Sequence, residues 1–328
     1  MIVARTPLRV SFFGGGSDLA AYYKRQQGFC LSTTIDQYMY VAVCETSTPG
    51  IKLMYSEIEQ VPRVSDLKHD RVRESLKFMK ISSNFEIASF SQIPTKGTGL
   101  GSSSTFTVGL LNALHAHQEL SISKSEMAKK ACHVEINLCE ESIGKQDQYA
   151  AAYGGFNTFE FNEDESVDVK PLTVDSKTIE SLNRELLLFY TGIRRDAADI
   201  LSTQSNNTRD NTHTFSSISD MVDIGRYALK NLKKGDIDGF GYLLNDAWEL
   251  KRNMSEGVTT PRIDECYEAA IKAGALGGKV LGAGGGGFML FYVPSAYQWN
   301  VITTLGKMGL EEFPFKFSEG GSEILCNR

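Results

Sequence analysis

The chain has 328 residues, of which 41% are hydrophobic, and 34 Lys and Arg against 40 Asp and Glu give a net charge of −6. This length predicts about two domains, each able to bury its own core. The acidic balance and the absence of basic runs exclude nucleic acid and anionic membranes as expected partners. The six cysteines form no C-x-x-C pair and the five histidines no H-E-x-x-H motif, so neither a disulfide framework nor a zinc site is expected.

Apolar runs are short throughout the chain. None approaches the ~20 residues of a membrane span, and the first residues, MIVARTPLRVSFF, lack the long apolar stretch of a signal peptide. We therefore expect a soluble protein of the reducing cytoplasm. The outstanding compositional feature is a set of thirty glycines, three clusters of which lie at residues 14–16, 97–101 and 282–287. Their wide separation raises the hypothesis that they converge on one ligand.

Two patterns predict the elements of the first half. Runs of β-branched and aromatic residues between turn formers predict strands, and apolar residues at helical spacing predict helices. A capping box of Ser123 and Glu126 marks one helix start. The predicted elements are strands at 1–13, 30–44 and 85–91, a helix that begins just after Gly101, a helix from Ser123 to near Gly144, a short helix at 146–153 and a hairpin at 156–169.

Helical patterns dominate the second half, and this change places a predicted domain boundary near residue 180, which gives domains 1–180 and 181–328. Thr260 and Pro261 are predicted to begin a helix. The predicted elements are a strand at 186–190, helices across 197–253, a helix at 262–273, and strands at 279–281 and 288–293 that flank the third glycine cluster.

The second glycine cluster lies in Pro94-Thr-Lys-Gly-Thr-Gly-Leu-Gly-Ser-Ser-Ser-Thr105. Glycines let the backbone approach a ligand closely, and the helix that follows directs its free amides and positive dipole end at the loop. We therefore predict a phosphate-binding loop, and with it an ATP-dependent kinase of a small molecule. The Walker pattern G-x-x-x-x-G-K-[ST] is absent, so this is not a P-loop protein. The alternative is a flexible Gly-Ser turn without a ligand.

The third cluster, Gly282-Ala-Gly-Gly-Gly-Gly287, formally contains the dinucleotide pattern G-x-G-x-x-G. That fingerprint requires a helix directly after the glycines. Here the following residues, Phe-Met-Leu-Phe-Tyr-Val, predict a strand, so the glycines are predicted to form a turn between two strands. A dinucleotide-dependent oxidoreductase and a ligand-free hairpin remain as alternatives.

Three charged residues are candidates for chemistry. Glu135 lies beside the apolar stripe of its helix, and Asp147 follows twelve residues later. Two carboxylates near a phosphate loop suit Mg²⁺ binding and the acceptance of a hydroxyl proton. Arg9 lies in an otherwise apolar strand, where a buried charge needs a partner. The alternatives are solvated or capping carboxylates and an arginine on a sheet edge.

Three ordered motifs together resemble those of the GHMP kinases, the superfamily of galactokinase, homoserine kinase and mevalonate kinase. They are Pro7-Leu-Arg-Val-Ser-Phe-Phe-Gly-Gly-Gly-Ser-Asp18, Gly99-Leu-Gly-Ser-Ser-Ser104 and Lys279-Val-Leu-Gly-Ala-Gly-Gly-Gly-Gly-Phe288. The resemblance covers nearly the whole chain. It implies an α+β, two-domain GHMP kinase fold, with an N-terminal domain like domain 2 of ribosomal protein S5, a ferredoxin-like C-terminal domain and the active site between them.

The resemblance also implies cofactors and roles. ATP and Mg²⁺ are the expected cofactors, with Asp147 as catalytic base, Arg9 polarising the acceptor hydroxyl, and Ser103 and Glu135 binding the metal. Lys96 departs from the small residue common in the family, and a phosphate contact and a solvated side chain are equally open for it. Nucleotide contacts are predicted at Lys96, Gly97, Gly99, Leu100, Gly101, Ser102, Ser103 and Ser104, and substrate contacts at Gly15, Gly16, Ser17, Asp18, Arg194, Arg195, Lys251, Gly284, Gly285 and Gly286.

Within the superfamily, the Gly-Gly-Gly-Ser-Asp variant of the first motif, Thr191-Gly-Ile-Arg-Arg195 and Ala247-Trp-Glu-Leu-Lys251 are most similar to kinases of D-glycero-D-manno-heptose 7-phosphate. This implies phosphorylation of the anomeric hydroxyl of a sugar phosphate, towards nucleotide-activated heptose for surface polysaccharide. Arg194, Arg195, Lys251 and Arg252 are candidates for the acceptor phosphate. A kinase of fucose or another unphosphorylated sugar and a non-catalytic sensor are the alternatives, and monomer and homodimer are both open.

Overall fold

The computed structural model describes residues 1–82, 84–93, 97–193 and 197–327, with residues 197–199 described by their backbone alone. No helix in these ranges is long and apolar enough to cross a bilayer. The strands are β1 (Ile2–Phe13), β2 (Gly28–Glu45), β3 (Ile51–Met54), β4 (Ile58–Val61), β5 (Phe85–Ser91), β6 (Phe156–Phe161), β7 (Val167–Pro171), β8 (Leu186–Tyr190), β9 (Gly277–Val280), β10 (Phe288–Tyr292), β11 (Glu311–Glu312), β12 (Phe317–Ser318) and β13 (Glu323–Asn327). The α-helices are α1 (Ala20–Tyr23), α2 (Asp70–Phe78), α3 (Ser102–His117), α4 (Lys124–Cys132), α5 (Gln146–Tyr153), α6 (Ser176–Glu185), α7 (Ala197–Asp210), α8 (Thr212–Lys233), α9 (Ile237–Arg252), α10 (Pro261–Ala273) and α11 (Gln298–Lys307).

The larger sheet has nine strands, with the main order β13-β1-β2-β5-β3-β4. Strand β2 is 18 residues long and pairs with β1 along one edge. On its other edge it pairs first with β6, then with β12 and then with β5. This long strand therefore holds most of the sheet together. The predicted strands at 1–13, 30–44 and 85–91 are confirmed.

Strand β1 carries an irregularity that positions a side chain. Its pairing with β2 shifts register between Pro7 and Arg9. The backbone amide of Arg9 instead donates to the carbonyl of Leu100 at 3.1 Å. Bulges are common beside functional sites because they redirect a side chain. Here the bulge ties β1 to the loop that precedes α3.

Helix α3 packs on β1 and β2 and contacts α4 and α5. Most of its residues are buried, including polar ones such as Thr105 and Thr107. A helix that is buried on nearly every face is a core helix rather than an amphipathic surface helix. The structure confirms both the helix predicted after Gly101, which starts at Ser102, and the short helix predicted at residues 146–153, which is α5.

The helix predicted from Ser123 to near Gly144 ends earlier. The capping box of Ser123 is present, but the α-helix stops at Cys132 and is followed by a π-helical turn over His133–Leu138. The amide of Cys139 accordingly donates to Val134 at 2.9 Å. Single π-turns are frequent at functional sites. This turn contains Glu135, which is fully buried.

The smaller sheet has the antiparallel order β11-β8-β10-β9. The third glycine cluster connects β9 to β10, with Val280 opposite Met289, which confirms the predicted turn between two strands. The predicted strand at 186–190 is β8. Helix α10 begins at Pro261 as predicted, and the Thr260 hydroxyl accepts from the amide of Ile263.

The two sheets share one hydrophobic cluster. It contains Leu8, Val10 and Phe12 from β1 together with Leu188 from β8 and Leu290 from β10. The chain end adds a second connection, since β12 and β13 pair with β2 and β1 in the larger sheet. A boundary at residue 180 thus stays a prediction, and the C-terminal part includes strands that complete the N-terminal sheet.

Candidate active site

A bidentate ion pair joins Arg9 to Asp147. The Arg9 Nε lies 2.7 Å from one carboxylate oxygen of Asp147, and Nη2 lies 2.8 Å from the other. The third guanidinium nitrogen, Nη1, donates to the carbonyl of Gly99 at 2.6 Å. Arg9 is 3% exposed, whereas the Asp147 side chain is 26% exposed. Arg9 therefore fixes the orientation of a carboxylate that can still reach a ligand.

The loop at 97–101 adopts a conformation that only glycine permits without strain. Gly97, Gly99 and Gly101 have φ angles of 69°, 79° and 73°. A Cβ atom on Gly99 would lie 2.3 Å from the carbonyl oxygen of Leu281. One on Gly101 would lie 3.2 Å from both the Arg9 Cγ and an Asp147 carboxylate oxygen. The glycines let the loop touch the Arg9–Asp147 pair and the opposite sheet together.

Helix α3 begins directly at this loop. Its N-cap is Gly101, which has no side chain to cap the helix. The first amides of a helix lack intrahelical partners and carry the positive end of the dipole. Ser102, Ser103 and Ser104 occupy this first turn and border the same cavity. The arrangement is suited to phosphate oxygens.

Glu135 lies behind this turn and is held by four side chains. Ser104 and Thr107 on α3 donate to its carboxylate at 2.8 and 2.7 Å. Gln148 on α5 donates at 2.5 Å, and the Arg71 Nε lies 3.1 Å from Oε1. Glu135 thus connects α2, α3, α5 and the π-helical turn. Of the serines in the first turn of α3, Ser104 rather than Ser103 donates a hydrogen bond to it.

The donor set suits Mg²⁺ only with help from a ligand. Mg²⁺ takes one or two carboxylates together with phosphate oxygens. The described residues hold no group of three or more acidic, His or Cys side chains that could bind a metal. Ser103 borders the cavity, and Glu135 lies one layer behind it with Arg71 against one oxygen. Ser103 and a carboxylate of this kind are donors that suit Mg²⁺ when a bound nucleotide supplies the other ligands, and metal binding by Glu135 stays a prediction.

Asp18 is a second buried carboxylate beside the cavity. Its two oxygens accept from the amides of Gly16 at 3.0 Å and Gln146 at 3.1 Å. Burial raises its pKa above the usual value, and the negative charge of Asp147 raises it further. Gly144 packs so closely that a Cβ atom there would lie 1.9 Å from an Asp18 oxygen. Asp18 is thus fixed in place with an edge towards the cavity.

Lys251, at the end of α9, adds positive charge. Its ammonium donates to the carbonyl of Gly282, and burial followed by the charge of Arg9 lowers its pKa to about 8. Lys279 lies nearby, bonded to the carbonyl of Phe12 at 2.7 Å. Burial and the charges of Lys251 and Arg9 lower the pKa of Lys279 as well. Clustered cations of this kind favour an anionic ligand.

These groups surround one cavity of about 900 Å³, large enough for a nucleotide and a small acceptor together. It brings together residues from all three glycine clusters, as hypothesised. The predicted site residues that border it are Arg9, Gly15, Gly16, Asp18, Gly97, Gly99, Gly101, Ser102, Ser103, Ser104, Asp147 and Lys251.

The other predicted residues that the structure describes do not border the cavity. The Ser17 hydroxyl is buried and bonded to the carbonyls of Gly14 and Phe29, and Leu100 packs in the shared core, so the geometry gives neither side chain a ligand contact. Gly284, Gly285 and Gly286 approach Val258 and Ile193, while Gly282 and Ala283 of the same turn border the cavity. Lys96, Arg194 and Arg195 lie outside the described residues.

Several polar residues on the cavity wall were missed from the sequence, among them Arg71 and Gln204. Arg71 contacts Glu135 and donates to Glu141 at 2.5 Å. Gln204 comes from α7 and is 4% exposed. Arg71 stands in a charged helix beside Arg73, and Gln204 stands in a polar stretch, Thr203-Gln-Ser-Asn206. Neither neighbourhood distinguishes the functional side chain from a solvated one.

Comparisons with known proteins identify the family. Models described as GHMP kinases N terminal domain and GHMP kinases C terminal match residues 69–155 and 228–297. A D-glycero-alpha-D-manno-heptose 7-phosphate kinase of Campylobacter jejuni is 31% identical over 98% of this chain and 97% of its own. The bifunctional fucokinase/GDP-fucose pyrophosphorylase of Arabidopsis thaliana is 25% identical over 88% of this chain and 30% of its own.

A solved structure is similar over the full length. The crystal structure of a D-glycero-D-manno-heptose 1-phosphate kinase from Bacteroides thetaiotaomicron superimposes with a TM-score of 0.80, at 26% identity and with all of both chains covered. The matched family models include Asp147 in the N-terminal model and Lys251 in the C-terminal one. With its fold, its three glycine clusters on one cavity and a relative of this identity over nearly its whole length, the chain belongs to the GHMP kinases, which transfer a phosphoryl group from ATP to an acceptor.

Proposed function

We propose that this protein transfers the γ-phosphoryl group of ATP to the anomeric hydroxyl of D-glycero-D-manno-heptose 7-phosphate and releases the 1,7-bisphosphate. The observation that carries the proposal is the Arg9–Asp147 pair, which contacts the loop before α3 and borders the same cavity as Asp18 and Lys251. The full-length similarity to the Campylobacter jejuni heptose 7-phosphate kinase supports the choice of acceptor.

Asp147 is the group that accepts the proton of the attacking hydroxyl. Its carboxylate is held by two hydrogen bonds from Arg9 and remains partly exposed to the cavity. Phosphoryl transfer depends mainly on positioning and charge neutralisation, and a carboxylate that orients the nucleophile is sufficient as a base. Arg9 keeps this carboxylate aligned through two hydrogen bonds, and its cation stabilises the oxygen as the proton leaves.

The phosphates of ATP are bound at the start of α3, by loop amides and by the serines of the first turn. A bound Mg²⁺ would supply positive charge to offset the charge of the ATP phosphates. Ser103 supplies a hydroxyl on the cavity wall, and Glu135 supplies the carboxylate behind it. Lys251, with Arg194 and Arg195 as predicted from the sequence, supplies cations for the phosphate of the acceptor.

A panel of sugars with ATP consumption as the readout tests the acceptor. We expect turnover with heptose 7-phosphate and much weaker turnover with unphosphorylated heptose, fucose or galactose. A preference for an unphosphorylated sugar would overturn the heptose phosphate assignment and leave the kinase activity intact. Absence of any turnover, with sugar and nucleotide still bound, would point instead to a sensor.

The role of Asp147 is tested with Asp147→Asn, which keeps the shape of the side chain but cannot accept the proton. Loss of a general base typically costs 10²- to 10⁴-fold in rate, so kcat should fall by about 10³-fold with little change in the KM for ATP. Asp220→Asn, at an exposed position on α8, is the matched control and should retain wild-type kcat. Wild-type turnover by Asp147→Asn would contradict the mechanism.

A further inference from the structure

The side chain of Gln204 is a polar group in the cavity to which the proposed chemistry gives no task. It projects from α7, is 96% buried because only 4% of the residue is exposed, and borders the cavity. Its amide nitrogen lies against the first glycine cluster, since a Cβ atom on Gly16 would be only 2.4 Å from Nε2. The amide and the first glycine cluster are therefore in close contact.

This amide belongs to a residue on the cavity wall, so it lies within reach of a bound ligand. The backbone carbonyl of Gln204 accepts from the Thr208 hydroxyl at 2.7 Å. Buried side-chain amides are nearly always paired, because an unmade hydrogen bond leaves the full cost of removing the group from water. An amide on the cavity wall can make its hydrogen bonds to a ligand that fills the cavity.

The chemistry of the amide selects the kind of ligand group. A glutamine side chain offers two donor hydrogens and an acceptor oxygen without a net charge, which matches a hydroxyl better than a phosphate, for which this cavity already has cations. Asp18 lies next to it through Gly16, whose amide donates to the Asp18 carboxylate. An uncharged amide beside a carboxylate is suited to the hydroxyls of a sugar ring.

We propose that the Gln204 amide hydrogen-bonds a ring hydroxyl of the acceptor and is a specificity-determining residue, with α7 as the element that discriminates between sugars. This inference rests on the proposed function in one respect, namely that the acceptor is a sugar. It adds a contact that lies in neither the glycine loops nor the Arg9–Asp147 pair.

The test compares Gln204→Leu, which keeps the volume and removes the hydrogen bonds, with Asn206→Leu. Asn206 is an exposed amide on the same helix, so its replacement is the matched control. For Gln204→Leu we expect kcat/KM for the acceptor to fall about 10-fold, as for one uncharged hydrogen bond, with the KM for ATP within about twofold. Asn206→Leu should match the wild type in both parameters.

Deoxy analogues of the acceptor locate the contact. The wild type should lose about 10-fold in kcat/KM for the analogue that lacks the hydroxyl bound by Gln204. The Gln204→Leu variant should show no further loss with that analogue, yet retain the wild-type penalty at the other positions. Equal penalties in both proteins at every position would overturn the proposal.

Thermal melting of the free protein separates ligand binding from a structural role. A side chain that serves the ligand adds little to the free protein, so Gln204→Leu should melt at the wild-type temperature or above it, and a clear fall would show that the side chain supports the fold instead. If the wild type phosphorylates no heptose phosphate, the proposed acceptor fails, and the same comparison is made with the sugar of the panel that it does phosphorylate. If Gln204→Leu leaves kcat/KM for that sugar unchanged, the inference about Gln204 is wrong, and the assignment of the kinase activity is unaffected.

Discussion

Lys251 illustrates how much the cavity changes a single residue. A lysine in water has a pKa near 10.4, and in this site burial and the neighbouring charge of Arg9 lower the pKa to about 8. Its ammonium group is therefore fully charged only on the acidic side of that value. A phosphate that depends on Lys251 is bound more weakly as the solution becomes more alkaline.

This gives a pH dependence with a definite sign. For the phosphorylated acceptor, kcat/KM should decline as the pH rises through about 8, because the free enzyme then loses the Lys251 charge. Lys251→Arg should remove this decline, since arginine stays protonated, and Lys251→Met should show low kcat/KM at every pH. Steady-state kinetics between pH 7 and pH 9.5 are the measurement. A decline of equal size in the Lys251→Arg variant would assign the titration to another group.

At this scale the sequence predicted the residues whose chemistry is carried by a motif. Arg9 and Asp147 are such cases, since each occupies a family position and each is a charge that needs a partner. Gln204 and Arg71 could not be found in the same way. Their role depends on which helix face turns to the cavity and on contacts with Gly16 and Glu135, which arise only in the folded chain.

Glu135 connects four elements through one carboxylate. It is fully buried and receives Ser104, Thr107, Gln148 and Arg71. Such a carboxylate is costly to bury without partners, and removing it leaves the Ser104 and Thr107 hydroxyls and the Gln148 amide without their acceptor. The group is therefore a support for the start of α3 as well as the predicted metal ligand.

Glu135→Ala should lower the free energy of unfolding by about 3 kcal/mol, the usual cost of breaking a buried ion pair from one side. Glu126→Ala is the matched control, because Glu126 closes the exposed capping box of α4 and its loss should destabilise the protein much less. Urea denaturation of both variants without ligands measures the difference. Equal destabilisation by the two variants would mean that Glu135 does not hold these elements together.

The start of α3 gives a second prediction for an element. Gly101→Ala would place a methyl group 3.2 Å from the Arg9 Cγ and from an Asp147 oxygen, at a backbone φ of 73°. We expect destabilisation of about 1 kcal/mol from the left-handed backbone alone and a further loss of kcat, because the Arg9–Asp147 pair must move.

The control for Gly101→Ala is Gly306→Ala on α11, where nothing lies within 4 Å of the added atom. Alanine in a helix is favoured by up to about 1 kcal/mol over glycine, so this variant should be more stable and fully active. Calorimetry and turnover assays distinguish the two variants. A fully active Gly101→Ala protein would contradict the close contact.

Helix and strand positions were mostly predictable because periodicity and capping are local signals. The strands β1, β2 and β8 and the start of α3 follow directly from them. The π-helical turn after Cys132 was not, because the apolar stripe continues through Val134 and Leu138 as in an ordinary helix. The change of hydrogen-bond spacing is set by tertiary contacts of Glu135, and the pattern of a single sequence contains no information about such contacts.

At the scale of the whole molecule, the shared core joins the two sheets into one unit. Residues of β1 pack with those of β8 and β10, and β13 pairs with the edge of β1. The composition predicted two domains, and the helix-rich texture of the second half placed their boundary. Neither signal reveals that the last strands return to the first sheet, because strand partners are long-range contacts.

We therefore predict a single cooperative unfolding transition by calorimetry, with equal calorimetric and van't Hoff enthalpies. The fragment 1–180 should fail to fold alone, since it lacks β12, β13 and the β8–β10 side of the core. The measurement is the amide dispersion of this fragment in a nuclear magnetic resonance spectrum. A dispersed spectrum, or two separate calorimetric transitions in the full chain, would contradict a shared core.

The contact between the second and third glycine clusters has a consequence for how acceptor preference can change during evolution. A Cβ atom added to Gly282 would lie 2.6 Å from the Gly99 Cα, and one added to Gly287 would lie 2.5 Å from the Thr98 carbonyl oxygen. The two clusters therefore contact each other through their backbones. Substitution there disturbs the phosphate site before it alters selectivity. Helix α7 borders the cavity with Leu201, Ser202 and Gln204, which can be exchanged one at a time. A protein of this architecture can therefore acquire a new sugar by mutation of α7 while its phosphoryl-transfer apparatus is inherited unchanged.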